Sequence, residues 1–275
     1  MYTLSNDELT VSILDPKADV ERFGTRYCTA GYIFQITDED LGPLLSGPTY
    51  PDSFNTFDGQ GIPDAFNLSP LYEPGDAEGA VPATALIIGI GLCDLQANRV
   101  LEFCDWQIGE ADTGLRFATS QAFAGWALDL ERHVALLGRT VRSTTRLRNT
   151  GKKPIPIRWF PHPFYPQPEG DELCRFNIAV EFPENPGYRL AENGSVVRQG
   201  WPWEKGYYQA LDHDAHSNLV VLQRHPVLGL VAATCSYVPA LFPIWGNPRT
   251  FSWEPFYERT LAAGQQTEWS IDYQF

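Results

Sequence analysis

The stretch RTVRSTTRLRNTGKKPIPIRWF, residues 139–160, alternates its side chains with a period of two on both sides of a turn. In its first half, small or apolar side chains fall on one face and mostly charged ones on the other: Val141, Ser143, Thr145 and Leu147 against Arg142, Thr144, Arg146 and Arg148. After NTGKKP the alternation resumes at Ile155, Ile157 and Trp159. Because successive side chains of a strand point to opposite faces, the stretch predicts a strand, a turn and a strand.

The same period recurs elsewhere in the chain. Residues 99–123 turn at GEADTG and residues 218–238 turn at RHPVLG, and β-branched or aromatic residues flank each turn, so both segments predict hairpins. The C-terminal TLAAGQQTEWSIDYQF alternates in the way expected of a half-exposed antiparallel strand. The stretch from Thr49 to Pro82 has little periodicity and is a candidate binding loop. With no long helix, internal repeat or linker, residues 1–275 are expected to form one all-β domain.

Composition narrows the function classes. The chain has 275 residues, 43% of them hydrophobic, with 22 Pro, 23 Gly and one Met, which favours sheet over helix. The net charge of −14 argues against nucleic acid as a partner. We see no N-terminal targeting segment and no apolar run of bilayer length, so we expect a soluble, cytoplasmic protein without membrane contact. The five cysteines form no CxxC pair, which argues against a disulfide framework or a zinc knuckle.

The first candidate functional residue is His162, in PIRWFPHPFYP, residues 156–166. Prolines fix the backbone and remove donors, so this histidine is held rigidly just past a strand end, where functional residues often lie. The alternative interpretation is a packed aromatic corner that contains a structural histidine.

The second candidate segment is ALDHDAHSNL, residues 210–219, which crowds two aspartates and two histidines: Asp212, His213, Asp214 and His216. The two histidines lack the i, i+4 spacing of a helical metal motif, and no third ligand follows at a fixed spacing. We therefore expect no metal site.

The third candidate is Glu254 in FSWEPFYERTL, residues 251–261, between Trp253 and Pro255. A carboxylate among aromatic rings is partly desolvated, which raises its pKa and makes it a better proton acceptor near neutral pH. The alternative is an edge-strand glutamate that faces water.

Together the three segments supply groups that can move protons on and off a substrate. No GxSxG motif and no glycine-rich phosphate loop compete with this interpretation. The eight tryptophans suit a sugar, because the C–H faces of a pyranose lie well on flat rings, although core packing explains most of them equally well.

The order of these motifs resembles that of the galactose mutarotase-like (aldose 1-epimerase) superfamily. RNTGKKPIPIRWFPHPFYP resembles the family's turn and strand that end at a histidine, LDHDAH its Asp-His element, and FSWEPF its late EP strand. The resemblance implies a β-supersandwich of two large antiparallel sheets with a sugar in a concave groove. The reaction that it implies needs no cofactor. If the roles of the matching family positions are transferred to this sequence, His162 is the general acid, Glu254 the general base and Asp212 a hydroxyl-binding residue. We expect the three to line one pocket, with His162 and Glu254 on opposite sides of a sugar ring.

The sequence also departs from the family pattern. Sugar mutarotases carry an additional histidine in the first half, whereas no histidine here precedes His133. The family's early arginine element is not recognisable, but ERFGTRYCTAGYIF offers Arg22 and Arg26 as substrate-binding candidates for a sugar or a sugar phosphate. The favoured function is an aldose 1-epimerase-like isomerase. The alternatives are a non-catalytic carbohydrate-binding protein and, last, a lyase or hydrolase; the sequence leaves the oligomeric state open.

Overall fold

A computed structural model of the protein describes residues 1–46, 60–73, 83–201, 203–204, 206–214 and 216–275. Its regular structure is β-strand, apart from one 3₁₀ turn at Val20–Arg22, so the all-β prediction is confirmed. The first strands in chain order are β1 (Tyr2–Ser5), β2 (Leu9–Ile13), β3 (Ile33–Asp38), β4 (Gly42–Pro43), β5 (Asp64–Ala65), β6 (Thr84–Ile87), β7 (Gly91–Asp94), β8 (Arg99–Phe103), β9 (Gln107–Ala111), β10 (Gly114–Phe123), β11 (Trp126–Leu137) and β12 (Thr140–Asn149). The others are β13 (Ile155–Pro161), β14 (Tyr165–Pro166), β15 (Glu172–Phe176), β16 (Val180–Glu181), β17 (Tyr188–Leu190), β18 (Val196–Arg198), β19 (Tyr207–His213), β20 (Val220–His225), β21 (Gly229–Cys235), β22 (Phe242–Gly246), β23 (Thr250–Trp253), β24 (Tyr257–Leu261) and β25 (Gln266–Gln274).

One antiparallel sheet of ten strands forms the larger layer, in the order β17-β18-β15-β20-β21-β25-β12-β11-β10-β9. The alternation seen in the sequence determines which side chains lie on each face of this sheet. On the face toward the other layer, Leu147 and Trp269 are buried. On the opposite face, charged side chains pair across strands, as Arg142 does with Asp272.

The two predicted hairpins are confirmed as β9–β10 and β20–β21, and the C-terminal strand is confirmed as β25. The stretch that opened the sequence analysis also forms two strands, but β12 and β13 do not pair with each other. β12 pairs with β11 along one edge and with β25 along the other, from Thr140 to Arg148. Neither edge of β12 is therefore available to β13. Asn149 then donates hydrogen bonds to the carbonyls of Lys153 and Leu261, and β13 joins β24 and β5 instead.

Smaller sheets pack on the inner face of the ten-stranded sheet. The five-stranded sheet, in the order β14-β23-β22-β19-β16, stacks Trp253 on Tyr273 of β25 at 6.1 Å between ring centroids. The sheet β24-β13-β5 places Trp159 against Trp269 at 5.4 Å. The second layer is therefore divided into several sheets. Its strands contain prolines, such as Pro161 of β13, which cannot donate to a hydrogen-bond ladder. The sheets β1-β2-β3-β4 and β6-β7-β8 complete the fold.

Buried apolar side chains form a main core and a smaller group. The main core includes residues from Leu9 to Tyr273, which supports our proposal of a single domain. The smaller group, which we call the aromatic cluster, consists of Leu14, Tyr27, Tyr32, Phe34, Ala65, Phe160, Phe164 and Phe256. It brings the early segment around Tyr27 against the end of β13, and the candidate site is built on it.

The predicted binding loop between Thr49 and Pro82 is described only over residues 60–73; residues 49–59 and 74–82 lie outside the described residues. Within the described part, Gly61 has a φ of +65°, and a Cβ atom there would lie 2.3 Å from the carbonyl oxygen of Ile33, so only glycine fits. Across the described ranges, no helix has the length and apolarity needed to cross a membrane.

Candidate active site

His162 follows directly after β13 and is fixed by backbone pairing. Its N–H donates to the carbonyl of Pro63 at 2.8 Å, and Phe160 pairs with Ala65 of β5. Because Pro161 and Pro163 have no N–H, the chain around the histidine cannot extend a regular ladder. The imidazole is consequently held at the end of the strand, as predicted.

Glu254 follows β23 in the same way. Its N–H donates to the carbonyl of Pro243 at 2.9 Å. Alternation along β23 sends Trp253 into the main core, where its Nε1 donates to Gln223 at 2.9 Å, and turns Ser252 to the opposite face. Trp253 therefore packs in the core, whereas its neighbour Ser252 lies on the face that carries the site.

The structure brings His162 and Glu254 into direct contact. Nε2 of His162 lies 3.2 Å from Oε1 of Glu254, and Nδ1 lies 3.0 Å from Oγ of Ser252. Only 3% of His162 and 7% of Glu254 are exposed. At this distance the expected sugar-sized space does not separate the two groups, because in a buried site each is the other's hydrogen-bond partner.

Burial determines how protons are distributed over this pair. It raises the pKa of Glu254 to about 8, against a smaller opposing effect of the Arg26 charge. It also lowers the pKa of His162 well below 6.5, and Arg26 adds to that shift. At pH 7 the pair is consequently a carboxylic acid beside a neutral imidazole. Glu254 then donates to Nε2, and the Nδ1–H of His162 donates to Ser252.

Aromatic rings enclose the imidazole. Phe164 stacks on it with 4.1 Å between ring centroids, while Trp245 and Tyr27 approach it edge-on at 5.7 Å and 6.1 Å. Two of these rings belong to the aromatic cluster, and Trp245 packs against it. This apolar wall excludes water, which is the cause of both pKa shifts.

The two predicted arginines differ in their relation to the pair. Arg26 acts electrostatically on both His162 and Glu254, and its guanidinium lies 5.1 Å from the centroid of the Tyr27 ring. Arg22 lies over the Phe34 ring at 5.6 Å. Both are half-buried, so each combines a ring contact with partial access to solvent.

Asp212 is not in contact with the pair. It is exposed near the end of β19, and its Oδ1 accepts the backbone N–H of His213 at 3.1 Å. The strand β22 separates β19 from β23, so Asp212 lies roughly 10 Å from the strand that carries Glu254, two inter-strand spacings away. His213 Nε2 lies 2.9 Å from the carbonyl oxygen of Pro239, which is a structural contact.

Sequence reasoning missed several neighbours of the pair. Ser252 and Phe164 lie within the quoted motifs, and the alternation of β23 could have indicated Ser252. Trp245 and Tyr27 come from distant segments and give no local signal. In the part of the chain that the structure describes, no group of three His, Cys, Asp or Glu side chains is arranged to hold a metal ion.

The shifted pKa of Glu254 predicts a pH-dependent stability. Between pH 6.5 and 8 an unfolded Glu254, with a pKa near 4.5, has lost its proton while the folded one retains it. The wild-type free energy of unfolding should therefore fall by about 1.4 kcal/mol per pH unit well below pH 8 and by half that slope at pH 8, where the folded carboxyl is half ionised; the fall over this window is roughly 1.6 kcal/mol. The lowered pKa of His162 affects stability only below pH 6.5, where acidification removes the stability it provides.

Glu254→Gln cannot ionise, so its free energy of unfolding should not show this fall. Relative to wild type, the variant should therefore be more stable at pH 8 than at pH 6.5 by roughly 1.6 kcal/mol. Urea unfolding at both pH values measures the difference, with the exposed Glu192→Gln as control. If wild type and Glu254→Gln change in parallel, the carboxyl is not held protonated in the folded state.

By sequence, no protein-family description and no curated protein matches the chain. Solved structures do match. A galactose mutarotase related enzyme from Lactobacillus acidophilus has a TM-score of 0.64 at 11% identity, covering 99% of this chain and 96% of its own. Galactose mutarotase-like proteins from Clostridium acetobutylicum and Lactobacillus casei have TM-scores of 0.60 and 0.57 at 12% and 13% identity. They cover 98% and 100% of this chain, and 93% and 99% of their own. The chain therefore has the galactose mutarotase-like fold, as the order of its motifs predicted.

Proposed function

We propose that this protein is an aldose 1-epimerase-like isomerase that interconverts the anomers of a sugar by general acid–base ring opening. One observation carries the proposal: a buried carboxyl and a buried imidazole lie 3.2 Å apart, next to an arginine and within an aromatic wall. A histidine held neutral and a glutamate held protonated at pH 7 are groups tuned for proton transfer.

Ring opening needs two such groups. A base takes the proton of the anomeric O1 hydroxyl, the electrons of that O–H bond form the C1=O1 double bond, and the C1–O5 bond breaks. An acid gives its proton to O5. Rotation about C1–C2 presents the other carbonyl face, and closure with the roles reversed produces the other anomer. One residue cannot serve O1 and O5 together, which explains why two residues are needed.

The pKa directions favour one starting assignment. At pH 7 the raised pKa of Glu254 and the lowered pKa of His162 place the proton on Glu254, so in our proposal Glu254 acts first as the acid and His162 as the base. This order is the reverse of the one that the family resemblance implies. Because closure exchanges the two roles, both assignments use the same pair.

A sugar substrate is supported by the surroundings of the pair. Half-buried Trp245 and exposed Tyr208 occupy the same face of neighbouring strands, in direct register, and offer flat rings to pyranose C–H groups. Arg26, and farther away Arg22, supply charge-assisted hydrogen bonds to hydroxyl or phosphate oxygens. The structural relatives, described as galactose mutarotase related or galactose mutarotase-like, agree with a sugar as the ligand.

The test is polarimetry of freshly dissolved aldoses and aldose phosphates with the unmodified protein. Faster approach to the equilibrium rotation for at least one sugar is expected. If no sugar is accelerated and calorimetry still detects binding, the non-catalytic carbohydrate-binding function takes the place of this proposal.

Asp212→Asn provides a separate prediction. We propose that this exposed carboxylate binds a sugar hydroxyl at the edge of the site and takes no part in proton transfer. The variant should raise KM while the rate at saturation stays within about threefold of wild type, since a charged hydrogen bond contributes roughly 1.5–3 kcal/mol. Initial-rate polarimetry over a range of sugar concentrations separates the two effects. A collapsed saturated rate with unchanged KM would contradict the binding role.

A further inference from the structure

Tyr27 lies beside the proposed acid–base pair but has no part in the mechanism described so far. Only 1% of it is exposed, and its ring meets His162 edge-on at 6.1 Å and Tyr32 at 6.1 Å. The backbone is fixed next to it, because the N–H of Cys28 donates to the carbonyl of Asp64 at 2.8 Å. The phenol is therefore held rigidly in the wall of the site.

The hydroxyl of Tyr27 has no hydrogen-bond partner among the described residues. Its neighbour in the aromatic cluster differs, since the hydroxyl of Tyr32 donates to the carbonyl of Gln60 at 2.9 Å. Tyr237, also buried, donates to the carbonyl of Pro255 at 2.8 Å. A buried hydroxyl without a partner destabilises the folded protein, so such groups call for a specific explanation. A hydrogen bond to a bound substrate would provide one.

The surroundings of this hydroxyl keep it protonated, so it is able to donate a hydrogen bond. Burial raises the pKa of Tyr27; the nearby Arg26 charge lowers it by less, and Glu254 adds to the increase. A phenol of this kind keeps its proton throughout the neutral range and cannot act as a base. The Arg26 guanidinium, 5.1 Å from the ring centroid, makes the same region favourable for negative charge.

We propose that the hydroxyl of Tyr27 is a catalytic hydrogen-bond donor to the sugar oxygen on which negative charge develops during ring opening. The inference rests on the proposed epimerase function. As the C1–O5 bond breaks, O5 carries charge until it is protonated, and a fixed donor in a water-excluded site stabilises that charge without reorganisation. The donor transfers no proton, so the acid–base steps of the pair are unchanged.

Tyr27→Phe removes only the hydroxyl and leaves the ring in place. The expected result is a fall of about 10²-fold in the saturated rate, with KM within about threefold of wild type, as for loss of one oxyanion donor. The melting temperature should not fall, because no protein hydrogen bond is lost. Tyr32→Phe is the matched control: it should keep its rate and lose about 2–4 °C, since it loses one bond.

The rates are measured with D-glucose, D-galactose and the terminal phosphate ester of D-glucose, by polarimetry. If wild type is active and Tyr27→Phe keeps its rate, this inference is wrong and the proposed function stands. A drop in melting temperature for Tyr27→Phe equal to that of Tyr32→Phe also overturns it, because the hydroxyl would then have a partner in the protein. If wild type accelerates none of these sugars and no other aldose or aldose phosphate in the polarimetry test of the proposed function, that function fails, and this inference fails with it.

Discussion

Replacing His162 by Asn or Glu254 by Gln is expected to slow anomer interconversion by about 10²- to 10⁴-fold. Each factor of ten corresponds to about 1.4 kcal/mol, so either variant should raise the activation barrier by roughly 3–5 kcal/mol. The effect is this large because each side chain is proposed to move a proton at a different sugar oxygen, and both side chains are buried, so bulk water cannot easily replace either one. Polarimetry or NMR exchange measures the rates.

The pH profile provides an internal check on the same pair. The rate should decline above about pH 8, where Glu254 loses its proton, and again at acid pH well below 6.5, where His162 gains one, because burial lowers the pKa of His162. His213→Asn and Glu192→Gln remove the same residue types outside the pair and should leave the rate within about threefold of wild type. Either pair variant retaining such a rate would remove its residue from the catalytic proposal.

Arg132→Met is expected to have the largest effect on stability. Arg132 on β11 is fully buried and donates to both carboxylate oxygens of Asp64, which is 7% exposed; the Nη1–Oδ1 distance is 2.5 Å. Methionine would leave the Asp64 charge buried without its partner, and removal of one member of a buried ion pair costs about 3–5 kcal/mol. Urea unfolding of the purified variant measures the loss.

Two further variants sharpen this test. Arg142 makes a similar bidentate contact with Asp272 on the exposed face, so Arg142→Met should cost less than about 1 kcal/mol. The double variant Arg132→Met, Asp64→Leu should recover most of the lost stability, because no charge remains buried. Equal losses for Arg132→Met and Arg142→Met would show that burial does not determine the value of this ion pair.

The Arg132–Asp64 pair also links the large sheet to the site. Asp64 lies between Pro63 and Ala65, which pair with the backbone of His162 and Phe160, and its own carbonyl accepts the N–H of Cys28. The segments that carry His162 and Tyr27 therefore meet at one residue that Arg132 holds in place.

Local patterns predicted the parts of this fold that depend on local contacts. The alternation in residues 139–160 predicted β12 and β13, and the turns at GEADTG and RHPVLG predicted two hairpins. The partners of β13 could not be predicted in this way. They depend on β25 occupying the edge of β12, and β25 follows β12 by more than a hundred residues.

The residues of the candidate site also divide into those with a local sequence signal and those without one. His162 and Glu254 became candidates because a histidine among prolines and a glutamate between Trp253 and Pro255 are unusual locally, and the family resemblance supplied their acid and base roles. The structure places their side chains in contact. Tyr27 carries no such signal, since one tyrosine in an apolar segment resembles any core residue. Asp212 shows the opposite problem: a distinctive local motif, at a position that the sheet order separates from the pair.

The central claim is that His162 and Glu254 act together on the anomeric centre of a sugar. A crystal structure of the protein soaked with an accelerated aldose tests it most directly. The account predicts that the sugar separates the two side chains, with O1 and O5 each within about 3.2 Å of a different one of Nε2 of His162 and the Glu254 carboxylate. A sugar bound elsewhere, with the contact between His162 and Glu254 intact, would contradict it.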